Sequence, residues 1–119
     1  GTGSALREFL HVDDMAAASV YVMNFDYEIY QSKINSRLSH INVGTGQECS
    51  IRELTESIAE LVGFQGVIIW DTEKPDGAPR KLIDSSRIFD LGWRPRYDLQ
   101  SGLKDAYKWF INNIEIVRS

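Results

Sequence analysis

The chain has 119 residues, 43% hydrophobic and 25% charged, with a formal net charge of −4. That size suits one domain, and the ordinary composition and mild acidity argue against intrinsic disorder and against a basic nucleic-acid-binding face. The single cysteine excludes an internal disulfide framework and a multi-cysteine zinc site.

No apolar run approaches the ~20 residues of a membrane span, and no signal-peptide pattern opens the chain. A reduced, cytoplasmic setting is the expectation. Gly1-Thr2-Gly3-Ser4 runs without an initiator methionine into strand-like residues, and reads as a cut inside a longer protein or a short tag scar joined to one.

Arg7 to Val12 reads as a short strand. Asp13-Asp14 follows where a helix should begin, since aspartate caps orphan N–H groups and suits the positive helix end. Met15, Ala18, Val22, Phe25 and Ile29 recur at helical spacing and predict one apolar stripe. Gln31 to Leu38 is polar and reads as a loop. His40 to Val43 reads as a strand, ended by Gly44-Thr45-Gly46.

Ser50-Ile51-Arg52-Glu53 is a capping box. Ile51, Leu54, Ile58 and Leu61 give the next helix its stripe, and Gly63 is its stop. Val67 to Trp70 is a β-branched run that predicts a buried strand. Lys74-Pro75-Asp76-Gly77 carries the residues of a tight turn. Asp84-Ser85 caps a short helix over Arg87 to Leu91, and Trp93-Arg94-Pro95 leaves it as extended chain. Asp98 caps a last helix with Leu99, Leu103, Ala106, Phe110 and Ile114 inward. Alternating strands and helices predict an α/β chain: an α+β-like small mixed sheet with helices, leaning on a larger neighbour.

Gly44-Thr45-Gly46 before a helix invites a phosphate-loop reading. Neither the full dinucleotide fingerprint nor a P-loop lysine follows, so a plain connection is the better account. His11 with Asp13 and Asp14 makes a poor metal set, and helix capping explains the aspartates better. His40 reads as a structural histidine, and Cys49 as an inert small residue. No Tyr-x-x-x-Lys pair, Ser-His-Asp set or Cys-His set can be assembled, so no catalytic residue is assigned. The cations in irregular backbone stand apart. Arg7 and the Arg80-Lys81 pair could grip a diphosphate, arginine through two parallel N–H bonds and lysine as a point charge. Surface ion pairing is the alternative.

Arg7-Glu8-Phe9-Leu10-His11-Val12-Asp13-Asp14 resembles a signature of extended short-chain dehydrogenase/reductases that act on nucleotide sugars. Asn42 to Gly46 with Ser50 to Leu54 is a second shared block. The third is Lys74-Pro75-Asp76-Gly77-Ala78-Pro79-Arg80-Lys81-Leu82-Ile83-Asp84, with Leu91-Gly92-Trp93 after it. Its form is similar to the GDP-L-fucose synthase branch of that family, and the likeness covers essentially the whole chain.

The resemblance implies that residues 1–119 are a single C-terminal substrate-binding domain, with an NADP-binding Rossmann domain upstream. It implies an NADPH-dependent epimerase and reductase that turns GDP-4-keto-6-deoxy-D-mannose into GDP-L-fucose through enolates and a final hydride transfer. The catalytic and cofactor-binding residues would lie upstream, leaving this piece inactive alone, without its own cofactor or metal. Arg7 would grip the substrate diphosphate, and Asp76, Arg80 and Lys81 would sit in a mobile loop closing over the GDP-sugar. The full enzyme would be a homodimer, bound to neither nucleic acid nor membrane. The competing readings are a UDP- or dTDP-sugar enzyme of the same family and a stand-alone non-enzymatic binding module.

Overall fold

The computed structural model describes residues 1–34 and 40–117. Within them the order is β1 (Leu6–Arg7), α1 (Val12–Met23), α2 (Tyr27–Lys33), β2 (Cys49–Ser50), α3 (Ile51–Val62), β3 (Arg80–Lys81), α4 (Ser86–Asp90), α5 (Leu99–Asn112) and α6 (Ile114–Val117). The sheet is mixed, in the order β2-β1-β3. β1 runs antiparallel to β2, pairing Leu6 with Ser50 and Arg7 with Cys49. It runs parallel to β3, pairing Leu6 with Arg80 and Arg7 with Lys81. The expected mixed sheet with helices is therefore present, though each strand has only two residues.

The strand predicted over Arg7 to Val12 stops early for a visible reason. Past Arg7 the ladder gives way to a side chain. The Glu8 carboxylate accepts from the Gly46 N–H at 2.7 Å and the Ile83 N–H at 3.2 Å. The predicted strands at 40–43 and 67–70 are not strands. β-branched residues favour a pleated surface only where a partner covers them. Val67 and Ile69 have none, and stand 84% and 85% exposed.

The long helix predicted from Asp13 through Ile29 is two. α1 ends at Met23, and Asp26 caps α2 by accepting from the Glu28 N–H at 2.8 Å. Gln31 begins the predicted loop but lies in α2, and residues 35–38 of that loop lie outside the described residues. The α1 cap is His11, whose Nδ1 accepts from the Asp13 N–H at 3.2 Å. Asp14 turns inward instead, 3% exposed. Its carboxylate accepts from the Arg96 and Tyr97 N–H groups at 2.9 and 3.0 Å.

The caps and the stop of α3 and α5 follow expectation, but their apolar stripes are only partly covered: Ile58, Ala106 and Phe110 are exposed, and Ile114 lies in α6 rather than α5. Ser50 and Glu53 form the capping box of α3, and Gly63 ends it at φ +69°. That left-handed backbone favours glycine. Asp98 and Ser101 close an equivalent box on α5. α4 departs slightly: Asp84 accepts from the Ser86 N–H at 3.0 Å, and the Ser85 side chain makes no cap bond. Trp93-Arg94-Pro95 leaves α4 outside any helix or strand, and the Trp93 side chain is buried with Ala18 and Ile88.

That core is small, backed by Leu10, Val22, Ile41, Val43 and Phe89. The chain is elongated, 54 × 35 × 25 Å, with a radius of gyration of 17.7 Å. A compact domain of ~100 residues has about 13 Å. Much apolar surface therefore stays uncovered, including Val12, Met23, Tyr27, Trp109 and Ile116. Among the described residues no helix is long and apolar enough to cross a membrane.

Candidate functional site

Side chains in register across neighbouring strands share a face, while successive residues along one strand alternate. Applied to β2, β1 and β3, the pairing puts Cys49, Arg7 and Lys81 in one row. Ser50, Leu6 and Arg80 fall on the opposite face. The two adjacent cations at 80 and 81 thus point in opposite directions. Sequence spacing alone did not rank them.

Arg7 is half-buried and lines an open cleft of about 550 Å³. Phe9, Thr45, Gln47, Cys49, Arg96 and Tyr97 are among its other walls. The Arg7 Nη1 donates to its own Leu6 carbonyl at 2.6 Å. A Cβ added at Gly77 would lie 3.3 Å from Nη2, so the glycine leaves the guanidinium room. The 76–77 segment therefore passes directly over Arg7.

Arg80 has another partner. Its Nε donates to both oxygens of Glu48, at 3.0 and 2.8 Å. That bond, then the charge of Glu48, raises its pKa further above the arginine range. Arg80 borders a separate groove with Gly46, Leu82, Ile83 and Phe89. Asp76 is also engaged: its carboxylate accepts from the Thr2 N–H at 2.8 Å and the Thr2 hydroxyl at 2.6 Å. These bonds hold it below the ordinary carboxylate pKa. Lys81 is exposed beside Arg7. Of the four residues singled out from sequence, the sheet brings Arg7 and Lys81 together. It places Arg80 on the other face, with Asp76 bridged to the N-terminal segment.

The turn predicted at Lys74 to Gly77 forms a few residues earlier. The Thr72 N–H donates to the Trp70 carbonyl at 3.0 Å, and the Lys74 N–H to the Asp71 carbonyl at 3.3 Å. Trp70 anchors this segment. Its ring lies against Gly3, where a Cβ would meet it at 2.5 Å, and the Arg52 guanidinium stacks 4.4 Å above it. Gly3 has φ +78° and leaves no space for a side chain.

The Gly44-Thr45-Gly46 loop behaves as a connection. A Cβ at Gly44 would sit 2.6 Å from Glu8 Oε1, and the Gly46 N–H already donates to that carboxylate. A phosphate there would have to displace a fixed negative charge, so these residues do not fit a dinucleotide. His11 is absorbed by structure. It stacks on Tyr97 at 4.0 Å and contacts Asp105 at 3.5 Å. No group of three or more His, Cys, Asp or Glu is placed to hold a metal among the described residues. Burial, then the charge of Glu53, pushes the Cys49 thiol pKa up, consistent with an unreactive thiol. The residues that sequence reasoning missed are Glu8 and Asp14. Each lay inside a quoted motif, but its partners are 37 to 83 positions away.

No protein-family model matches the chain. It is 51% identical over 113 residues, 95% of its length, to GDP-L-fucose synthase of Escherichia coli strain K12, covering 35% of that protein. It is 50% identical over 96% of its length to GDP-L-fucose synthase 1 of Arabidopsis thaliana, covering 32% of it. In structure it is similar to a GDP-D-glycero-L-gluco-heptose synthase from Campylobacter jejuni solved in the presence of NADPH. The TM-score is 0.82 at 38% identity, over 93% of this chain and 32% of that one. The chain thus spans about a third of the length of the curated relatives it matches. In sequence the chain is similar to about a third of these GDP-L-fucose synthases, and in fold to about a third of the heptose synthase.

Proposed function

We propose that this chain is the C-terminal GDP-sugar-binding domain of an NADPH-dependent epimerase and reductase that makes GDP-L-fucose from GDP-4-keto-6-deoxy-D-mannose. The observation that carries the reading is the 51% identity to a GDP-L-fucose synthase over 95% of the chain. The row of Arg7 and Lys81 supports it, because two cations on one sheet face suit a diphosphate.

In this reading Arg7 takes phosphate oxygens through its guanidinium, and Lys81 adds a second positive charge beside it. Asp76 reaches ligand N–H or hydroxyl groups by exchanging its Thr2 bonds. Arg80 contributes from the other face, by holding Glu48 at the cleft wall. NADPH supplies hydride and binds in the remaining two thirds of the enzyme, as does the epimerisation machinery. This chain's part is to fix the sugar's position, which turns binding into effective molarity at the reacting carbons. The whole enzyme is a cytoplasmic homodimer in this reading.

The test is turnover by the enzyme-length protein that contains this chain, given NADPH and GDP-4-keto-6-deoxy-D-mannose. GDP-L-fucose should accumulate as NADPH is consumed. Turnover of a UDP- or dTDP-sugar in its place would overturn the assignment.

A further inference from the structure

Glu8 lies in the first motif but does not itself line the proposed ligand cleft. Glu8 follows Arg7 directly, is half-buried, and spends its carboxylate on three donors. Oε1 accepts from the Gly46 N–H at 2.7 Å and the Thr45 hydroxyl at 3.3 Å. Oε2 accepts from the Ile83 N–H at 3.2 Å.

The last of these bears on the site. β3 contains two residues, too few for its ladder to fix its own register. Two ties outside the strand bracket it. Before it, the Leu6 N–H donates to the Pro79 carbonyl at 2.8 Å. After it, the Ile83 N–H donates to Glu8. Lys81 lies midway between these ties. A slip of one residue would send its side chain to the opposite face and bring Arg80 to Arg7's side.

We infer that Glu8 is a positioning residue for ligand binding: by holding Ile83 and the Gly44–Gly46 loop, it keeps Lys81 in the same row as Arg7. It touches no ligand itself and acts through Lys81. The inference rests on the proposed GDP-sugar site.

Glu8→Gln keeps the size of the side chain but replaces one acceptor oxygen with an N–H donor facing N–H groups. The experiment is a double-mutant cycle on GDP affinity, by calorimetry, in the enzyme-length protein. Wild type, E8Q, K81M and E8Q/K81M are compared. If Glu8 acts through Lys81, each single variant weakens GDP by about tenfold, and the double variant loses no more than about twofold beyond K81M. The KM for the GDP-sugar rises in E8Q while kcat at saturation is retained. Losses that multiply, or an E8Q affinity equal to wild type, would overturn the inference and leave the site standing. Unchanged affinity in K81M would remove the site, and the inference with it. Should E8Q fail to fold, Glu8→Asp retains the charge but is one methylene short of its donors, and the same cycle applies.

Discussion

Arg7 and Lys81 are direct register partners across the parallel β1–β3 pair, while Arg80 faces away to Glu48. Adjacent cations that look alike in sequence are thereby separated by the pleat. Arg7→Ala and Lys81→Ala should each weaken GDP by about 10- to 100-fold in the enzyme-length protein. A charged hydrogen bond contributes ~1.5–3 kcal/mol, and ~1.4 kcal/mol is tenfold. Arg80→Ala should change affinity by less than about threefold, the ordinary cost of an exposed ion pair. Titration calorimetry decides it, and an R80A loss equal to that of K81A would reverse the ranking.

Asp14 should matter to stability out of proportion to its size. Asp14→Ala strands the Arg96 and Tyr97 N–H groups that it satisfies. Each stranded donor costs ~1–3 kcal/mol. Urea denaturation of the enzyme-length protein should show a lower midpoint, with Asp14→Asn, which keeps one acceptor, losing less.

Among the described residues Ile88 is the largest fully buried side chain, packed with Ala18 and Trp93. Ile88→Ala should cost ~2–5 kcal/mol. In so small a core there is little to collapse into the void, which favours the upper half of that range. Equilibrium unfolding measures it.

The capping carboxylates of Glu53 and Asp98 are held below their ordinary pKa values by hydrogen bonds, from Ser50 and Ser101 respectively. Asp84 is lowered likewise by Ser86. A depressed carboxyl stabilises the fold above its unfolded pKa, and that contribution is lost as pH falls through the folded value. The melting temperature should therefore hold through neutral pH and fall below about pH 4, where carboxylates begin to protonate. Asp98→Ala should flatten that acid limb in a calorimetric pH series. An acid limb identical to wild type would show that the cap bears no pH-dependent load.

Cys49 shares the sheet face of Arg7 and lines the same cleft. Its raised pKa makes alkylation slow at neutral pH. Bound GDP should slow it further, an effect that mass spectrometry of maleimide-treated protein would detect. Equal labelling rates with and without GDP would place the ligand elsewhere.

What the sequence carried best was local chemistry. The Ser50–Glu53 box, the Gly63 stop and the Asp98 cap each depend on residues within a turn of one another. The fold class and the motifs around Arg7 and Lys81 were legible for the same reason. The failures share another cause. Val67 to Trp70 has strand composition but no strand beside it, and composition cannot report a missing partner. Asp14 looked like a cap because aspartate before a helix usually is one, yet its bonds go to residues 82 and 83 positions away. The ranking of Arg80 and Lys81 needed the register of β3 against β1, which no pattern within 79–84 encodes.

The shortness of the three strands has a thermodynamic consequence. Two-residue ladders cannot make a stiff platform, so local order around Arg7 comes from Glu8, Thr2 and the Trp70 stack. Ligand binding and folding then draw on the same contacts. A ligand that bridges β1 and β3 would add RT ln(1 + [L]/Kd) to the free energy of unfolding, about 2.7 kcal/mol at a hundredfold excess over Kd. A bound ligand would thus be a structural component of this sheet, and its supply would help set the lifetime of the folded protein.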